Sequence, residues 1–373
     1  MFAATALAVA APAKEFLVYF GTYTNALSRG IYVSRLDADT GKIAYPELAA
    51  ATPSPCYLAI SPDAKFLYCD NSVKSFNGEN AGAVSAFAID KISGRLTFLD
   101  EKSSGGAGPC HVSVDATGKI LLAANYGDGS LKSFRLNDDG GIGADGSVIQ
   151  LHGSGVNPSR QTSAHAHFIT ADPSNHYALA CDLGQDKVMI YKLNAADATL
   201  TTNDIPFGSV PPGSGSRHLA FSLDGRFAYV VNEMGCSITS FAWDAKRGEL
   251  KTLDTISALP SGEAVKDSYT GAEILVHPSG KFVYATLRGH DSVSVFAVAK
   301  RSGRLKFLQN IPSGGQVPRG LGIDPTGCWL ITGNQKTDNA AVFAIDVKTG
   351  KLTPTGQSLS IGAPVDVKFV EVK

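Results

Sequence analysis

The sequence lacks the features that mark several large classes of protein. It has no surplus of charge of one sign, with 33 Lys and Arg against 34 Asp and Glu and a net charge of −1, so we predict no nucleic-acid partner. No apolar run reaches the length of about 18 residues that indicates a membrane-spanning helix, and we expect no membrane insertion. Six cysteines occur without a CxxC pair, which disfavours a zinc site and a disulfide framework.

Several catalytic and binding motifs are also missing. No GxSxG segment occurs, which excludes the nucleophile of an α/β-hydrolase. The glycine-rich segment Gly213–Ser216 matches neither GxGxxG nor GxxxxGK[ST] and is weak as a phosphate loop. The string DADTGK from Asp37 begins like a calcium loop. Later repeats read DKISGR and DVKTGK at the same position, where most ligands are lost, so we interpret it as a hairpin turn.

The chain instead repeats itself at intervals of roughly 50 residues, which is typical of propeller blades with four short strands each. Six similar segments begin at Cys56, Cys110, His167, Arg217, Ala272 and Arg319. The N-terminal unit lacks its first strand, and the C-terminal segment Val365–Val372 reads as a strand without a unit. We therefore predict an all-β, seven-bladed β-propeller of four-stranded antiparallel blades, the first blade closed by the C-terminal strand.

The predicted propeller forms a single domain over residues 15–373, because propellers grow by adding blades. Residues 1–14 form an apolar leader with small residues at Ala8–Ala10 and Ala11–Ala13, as a signal-peptidase site has, although a basic start is missing. We expect this leader to be disordered, or the remnant of an export signal. A periplasmic or secreted location is favoured, with a cytoplasmic one as the alternative, and we expect a monomer.

Polar residues are predicted to gather at one mouth of the central channel. In an antiparallel meander, the start of the innermost strand and the end of the second strand lie together. The residues at these positions include His111, His165, His167, Arg217, His218, Glu273 and Arg319 at the starts, and Asn125, Asp182, Glu233, Arg288, Asn334 and Gln335 at the ends. The turns at the opposite mouth carry only sequences such as DPTG, whose residues are explained by turn geometry.

Arginines dominate this mouth and predict an anionic ligand. Arg217, Arg288 and Arg319 are expected to converge, and guanidinium groups bind carboxylate and phosphate through paired hydrogen bonds. Histidines and Glu233 nearby are suited to proton transfer near neutral pH. The alternative is that Arg217–Glu233 and Arg288–Glu273 ion pairs only hold neighbouring blades together.

A metal site is the other alternative at this mouth. His165 and His167 are two residues apart, which would put both rings on one side of a strand, and Asp182 or Glu233 could add a third ligand. Two arginines at the same mouth would repel a divalent cation, so we predict neither metal nor cofactor. Metal analysis after chelation would distinguish a metal-dependent gluconolactonase propeller.

Several motifs in fixed order carry a resemblance to a known family. They are GTYT from Gly21, AHAH from Ala164, SRHLAFSLDG from Ser216, VNE from Val231, AEILVHPSG from Ala272 and VPRGLGIDPTG from Val317. From about Phe16 to its end, the chain resembles the seven-bladed propeller lactonases, which include bacterial 6-phosphogluconolactonases and fungal carboxy-cis,cis-muconate lactonizing enzymes. The resemblance implies that the catalytic residues are His165 or His167, Arg217, Glu233 and Arg288.

The function that this resemblance implies is hydrolysis of a small sugar-acid lactone, with 6-phosphogluconolactone as the candidate substrate. His167 or Glu233 would deprotonate water, and arginines would hold the acid group of the substrate. The predicted substrate-binding residues are His111, Asn125, Asp182, His218, Glu273, Arg319, Asn334 and Gln335. The alternatives are a carboxy-muconate lactonizing enzyme and a non-catalytic binding scaffold, for which the single Trp243–Asp244 dipeptide gives little support.

Overall fold

Short strands pair in chain order to form the blades. The computed structural model describes residues 14–372, so the expected leader lies outside the described residues except for Lys14. Within residues 14–372, 28 β-strands form seven sheets of four antiparallel strands, and no helix is long and apolar enough to cross a membrane. The predicted seven-bladed, all-β propeller is confirmed.

The first four blades begin with the N-terminal strands and follow the order of the chain. Blade 1 contains β1 (Glu15–Thr22), β2 (Gly30–Asp37) and β3 (Glu47–Ala51). Blade 2 contains β4 (Pro55–Ile60), β5 (Phe66–Asn71), β6 (Ala83–Ile89) and β7 (Leu96–Ser103). Blade 3 contains β8 (Pro109–Val114), β9 (Ile120–Asn125), β10 (Ser130–Leu136) and β11 (Ile142–Gln150). Blade 4 contains β12 (Ala166–Ala171), β13 (Tyr177–Asp182), β14 (Lys187–Asn194) and β15 (Thr199–Ser209).

The remaining three blades repeat the same four-strand meander, and one strand is left over. Blade 5 contains β16 (Ser216–Phe221), β17 (Phe227–Asn232), β18 (Ser237–Asp244) and β19 (Glu249–Ser257). Blade 6 contains β20 (Thr270–Val276), β21 (Phe282–Arg288), β22 (Ser292–Val298) and β23 (Leu305–Pro312). Blade 7 contains β24 (Pro318–Ile323), β25 (Trp329–Asn334), β26 (Asn339–Ile345) and β27 (Leu352–Ser360), and the last strand is β28 (Pro364–Glu371).

The C-terminal strand closes the ring, as the incomplete first repeat predicts. β28 pairs antiparallel with β1, with Phe16 opposite Glu371 and Phe20 opposite Val367. It also packs against β24 and β4, the innermost strands of blades 7 and 2. The seven innermost strands thus contact one another in turn around the channel. Closure gives β1 a partner on the side where it would otherwise be an exposed edge.

Apolar clusters between the blades hold the ring together. Each of the seven interfaces between neighbouring blades has its own cluster of buried side chains. Hydrogen bonds reinforce some of these interfaces: the hydroxyl of Tyr68 in blade 2 donates to the carbonyl of Gly140 in blade 3 at 3.0 Å. Gly140 has a φ of 86°, and a Cβ there would lie 2.2 Å from the Phe66 ring, so the turn needs glycine. The polar mouth therefore stands on a rigid frame.

Candidate active site

A β-bulge near the start of the innermost strand positions several side chains at the mouth. In blades 3, 4, 5 and 7 the pairing with the second strand skips one residue. The skipped residues are Cys110, His167, Arg217 and Arg319. A bulge leaves its extra residue outside the ladder and redirects the side chain. Three of these four residues, all except Arg217, line one cavity.

This cavity has a volume of about 310 Å³. Its walls come from the starts of innermost strands, the ends of second strands, and the segment between β11 and β12. The lining residues are Tyr23, Ser72, Gly108, Cys110, Tyr126, Gly127, Arg160, His167, Glu233, Arg288 and Arg319. Four residues from the predicted set, His167, Glu233, Arg288 and Arg319, therefore share one cavity.

Glu233 is the centre of a charge cluster beside the cavity. Its Oε1 lies 2.6 Å from Nη2 of Arg160, and its Oε2 lies 3.0 Å from Nε of Arg217 and 2.9 Å from Nη2 of Arg288. Burial alone would raise the pKa of Glu233, but the guanidinium groups of Arg288 and Arg217 outweigh it and hold that pKa well below its usual range. Glu233 is therefore an anion at neutral pH and a very weak base.

Arg217 lies behind Glu233 rather than in the cavity wall. Its side chain is only 2% exposed, and its Nη1 donates to the backbone carbonyl of Ala272 in blade 6 at 2.5 Å. Burial and the charges of Arg288 and Arg319 lower the pKa of Arg217 to about 10, so it stays charged at neutral pH. Of the two structural ion pairs considered from the sequence, Arg217–Glu233 is present. Arg288 pairs with Glu233 and not with Glu273.

Two histidines and a glutamate form a line of contacts that extends from the cavity wall into the channel. Nδ1 of His167 lies 3.2 Å from Nε2 of His218, and Nδ1 of His218 lies 3.0 Å from Oε1 of Glu273. All three side chains are buried. Burial, followed by the charge of Arg217, holds the pKa of both histidines well below the usual value. Both rings are therefore neutral at physiological pH.

Arg319 differs from the other arginines at the mouth because it has no partner charge. Its guanidinium lies 5.5 Å from the centre of the Tyr23 ring and makes no hydrogen bond or ion pair to any residue from 14 to 372. Arg160, Arg217 and Arg288, by contrast, all contact Glu233. Three guanidinium groups thus contact one carboxylate and a fourth has no partner within the described part of the chain, so the cavity and its surroundings carry excess positive charge.

Arg160 is not among the predicted residues, although it lines the cavity and pairs with Glu233. It lies between β11 and β12, in a 15-residue segment that is longer than any other connection between blades within residues 14–372. Its Nη2 also lies 3.3 Å from the Tyr126 hydroxyl. The repeat pattern predicts functional residues only at the ends of strands. It therefore gives no signal for Arg160, which reaches the mouth from a long connection between two strands.

The other predicted residues lie near the mouth without lining the cavity. The ring of His165 stacks on Tyr126 with centroids 4.5 Å apart, and the ring of His111 contacts Tyr57 and Phe168, each with centroids 4.1 Å apart. Gln335 is partly exposed, and its backbone amide donates to the Val317 carbonyl.

Three predicted substrate-binding residues make hydrogen bonds within the blades. Asp182 accepts from the backbone amides of His165 and Gly184. The side-chain amide of Asn125 donates to the Ser104 carbonyl, and that of Asn334 donates to the Ser313 carbonyl. These bonds turn the three side chains into the blades, because the strand ends need partners for their backbone groups.

The metal-site alternative has no geometric support within residues 14–372, where no three His, Cys, Asp or Glu side chains are grouped to hold a metal ion. The rings of His165 and His167 both contact Tyr126, but only His167 lines the cavity.

Known proteins match this chain over nearly its whole length. The family described as lactonase, 7-bladed beta-propeller, matches residues 17–369. A 6-phosphogluconolactonase of Bacillus subtilis is 36% identical over 95% of this chain and 99% of its own length. A 6-phosphogluconolactonase of Formosa agariphila is 32% identical over 92% of this chain and 96% of its own. The structure of a periplasmic gluconolactonase of Pseudomonas aeruginosa superposes with a TM-score of 0.90 at 34% identity, covering 96% of this chain and 100% of that one.

Proposed function

The chain belongs to the seven-bladed β-propeller lactonase family, and on that premise we propose that it hydrolyses a small, negatively charged sugar-acid lactone in the cavity at the channel mouth. The observation that carries this proposal is that two groups lie in the wall of the same cavity. One is a neutral histidine, His167, and the other is the guanidinium of Arg319, which has no ion-pair partner within residues 14–372. The first supplies a proton acceptor and the second supplies a binding site for an anion.

The charge and size of the cavity favour a small acidic substrate. A charge that is partly removed from water and has no partner is costly, and an acid group of the substrate would offset that cost at Arg319, which is partly buried. The volume of about 310 Å³ lies at the lower end of the range for small-molecule sites, which suits a single sugar ring. A phosphorylated substrate such as 6-phosphogluconolactone fits this charge better than an uncharged gluconolactone.

The reaction needs one base and one group that stabilises an oxyanion. His167 takes a proton from water as the water oxygen adds to the lactone carbonyl carbon, and the carbonyl oxygen becomes an oxyanion stabilised by a guanidinium of Arg288 or Arg319. The tetrahedral intermediate then reforms the C=O bond and breaks the bond to the ring oxygen. That oxygen takes the proton from His167, which gives the open-chain hydroxy acid.

His167 is a better base for this step than Glu233. Three ion pairs stabilise the anionic form of Glu233, so its affinity for a proton is very low. The pKa of His167 is also below its usual value, but only its Nδ1 contacts His218, and its Nε2 makes no hydrogen bond within residues 14–372 and is free to accept a proton. Glu233 instead holds Arg160 and Arg288 in place around the substrate.

Steady-state kinetics on Arg319→Ala test the anion site. With 6-phosphogluconolactone we expect kcat/KM to fall by about 30- to 1000-fold, the effect of losing a contact worth roughly 2–4 kcal/mol. With gluconolactone the fall should be much smaller if Arg319 holds the phosphate. Arg226→Ala is the matched control, because Arg226 is exposed in an ion pair with Asp224 at a turn of the opposite mouth, and it should leave both rates unchanged.

Two results would count against the proposal. The first is a wild-type protein that accelerates neither lactone above spontaneous hydrolysis. The second is an Arg319→Ala variant whose kinetics match those of Arg226→Ala. Turnover of carboxy-cis,cis-muconate without lactone hydrolysis would favour the lactonizing alternative.

A further inference from the structure

We propose that Glu273 and His218 are positioning residues that fix the tautomer of His167, so that its unprotonated Nε2 faces the cavity. The proposal rests on the proposed function, because it takes His167 as the base of the hydrolysis. It assigns His218 and Glu273 a role in which neither side chain touches the substrate.

The contacts form an unbroken line behind the base. Nδ1 of His167 meets Nε2 of His218 at 3.2 Å, and Nδ1 of His218 meets Oε1 of Glu273 at 3.0 Å. His167 comes from blade 4, His218 from blade 5 and Glu273 from blade 6, so three successive blades build the line. Only His167 lines the cavity at the mouth.

The direction of each hydrogen bond follows from proton counting. Oε1 of Glu273 accepts the backbone N–H of Ile274 at 3.0 Å, which marks this oxygen as an acceptor. Nδ1 of His218 therefore donates to it. A neutral imidazole carries one N–H, so Nε2 of His218 is an acceptor and Nδ1 of His167 must donate to it. The remaining nitrogen of His167, Nε2, has no proton.

Other neighbours of the two rings do not compete for this role. Sγ of Cys110 is 3.8 Å from Nδ1 of His167, and a thiol is a weak hydrogen-bonding group. The rings of His111 and Tyr57 contact His218 through ring packing, with centroids 5.4 and 5.5 Å away. Within residues 14–372, no other side-chain carboxylate or amide binds a ring nitrogen of His167 or His218.

The far end of the line is separate from the proposed substrate site. Glu273 lines a second cavity of about 260 Å³ together with Tyr57, His111, Phe168 and Lys368, and none of these residues lines the first cavity. Burial raises the pKa of Glu273 above its usual value, and the ammonium of Lys368 and the guanidinium of Arg217 oppose this shift and favour the charged form. A carboxylate in this place would stabilise the imidazolium that forms when His167 takes a proton.

Glu273→Gln tests the direction of the line. When the side-chain amide of glutamine turns its nitrogen to His218, it donates to Nδ1 of that ring, which moves the proton of His218 to Nε2 and that of His167 to its own Nε2. The base would then face the substrate in its protonated tautomer. We expect kcat on a lactone to fall on the order of 100- to 10,000-fold with KM nearly unchanged, and Glu273→Asp to recover part of that loss.

His277→Gln is the matched control. His277 directly follows β20, the strand that carries Glu273, and is likewise buried and hydrogen-bonded, to Ser279 and to the Gly327 carbonyl. It lies at the opposite end of that strand from the mouth. Its loss should lower the thermal midpoint without changing kcat. Glu273→Gln should lower kcat without lowering the thermal midpoint.

Nitrogen NMR of ¹⁵N-histidine-labelled protein gives a readout that does not depend on turnover. In the wild type, the His167 signal, assigned by comparison with His167→Gln, should show a proton on Nδ1 and none on Nε2; in Glu273→Gln this pattern should invert. A wild-type His167 protonated on Nε2 would overturn the proposal even if Glu273→Gln failed to fold, as would an unchanged kcat in a folded Glu273→Gln whose His167 tautomer has inverted. If the tautomer inverts but the wild type hydrolyses no lactone, the positioning role stands and the proposed function fails.

Discussion

Replacing Glu233 with glutamine should destabilise the fold by about 3–5 kcal/mol, the usual cost of removing one partner from a buried ion pair. The substitution keeps the shape of the side chain and one acceptor oxygen, so the charge is the main loss. The carboxylate serves three guanidinium groups, and these differ in their access to water. The side chain of Arg160 is 38% exposed and can regain hydration, whereas that of Arg217 is 2% exposed and cannot. The side chain of Arg288 is 14% exposed, so most of the expected cost comes from Arg217 and Arg288.

Equilibrium urea unfolding at pH 7 measures this cost, with Asp224→Asn as the control. Asp224 also pairs with an arginine, Arg226, at 2.7 Å, but both side chains are about half exposed, so the control should lose less than about 1 kcal/mol. Equal losses in the two variants would refute the reasoning, because burial would then make no difference.

The pH dependence of this difference has a definite sign. The folded-state pKa of Glu233 lies below its ordinary value of 4.5, so the stability contributed by its charge is fully present above about pH 4.5. That contribution is lost as the pH falls through the folded-state pKa. The gap between the wild type and Glu233→Gln should therefore be constant from pH 7 to about pH 5 and narrow only in stronger acid.

Two further predictions concern ring closure and a second buried carboxyl. A chain ending at Ala363 lacks β28, which leaves β1 as an open edge, and it should lose the cooperative melting transition seen by circular dichroism; an unchanged midpoint would contradict closure by this strand. Burial raises the pKa of Asp70 to about 7, so its stabilising contribution is full below its ordinary pKa and is lost as the pH rises through 7. Between about pH 4 and pH 7, urea unfolding should therefore show wild-type stability falling relative to Asp70→Asn by up to about 1.4 kcal/mol per pH unit, and the two curves should run parallel above pH 7. Parallel curves between pH 4 and pH 7 would contradict this.

The blade count and ring closure could be predicted because they depend on a pattern that local sequence carries. Each unit repeats a similar pattern of apolar and polar residues in its strands, and only the first unit lacks an innermost strand. Register is harder to predict because it depends on the partner strand. The repeat of blade 5 begins at Arg217 in the sequence pattern, but the innermost strand begins at Ser216 and carries a bulge at Arg217. Nothing in the alternation of residues predicts that bulge.

The position of the candidate site can be predicted from the sequence, but the ion pairs within it cannot. The topology brings His167, Glu233, Arg288 and Arg319 to one cavity, as expected from strand starts and ends. Which charges meet depends on how blades pack: the Arg288–Glu273 pair considered as an alternative is absent, and Arg288 pairs with Glu233 while Glu273 pairs with His218. Arg160 is not predictable from the repeat at all, because it lies in a long connection between two strands.

The division of work between stability and chemistry follows from this arrangement. The apolar clusters between blades stabilise the ring without a contribution from the charged residues at the mouth. A charge at the mouth therefore affects stability only where it is buried and paired. Glu233 meets both conditions, and its loss should lower stability and activity together. Arg319 is unpaired within residues 14–372, so its loss should lower activity while leaving the unfolding midpoint nearly unchanged. Comparing the two variants therefore separates a residue that builds the site from one that binds the substrate.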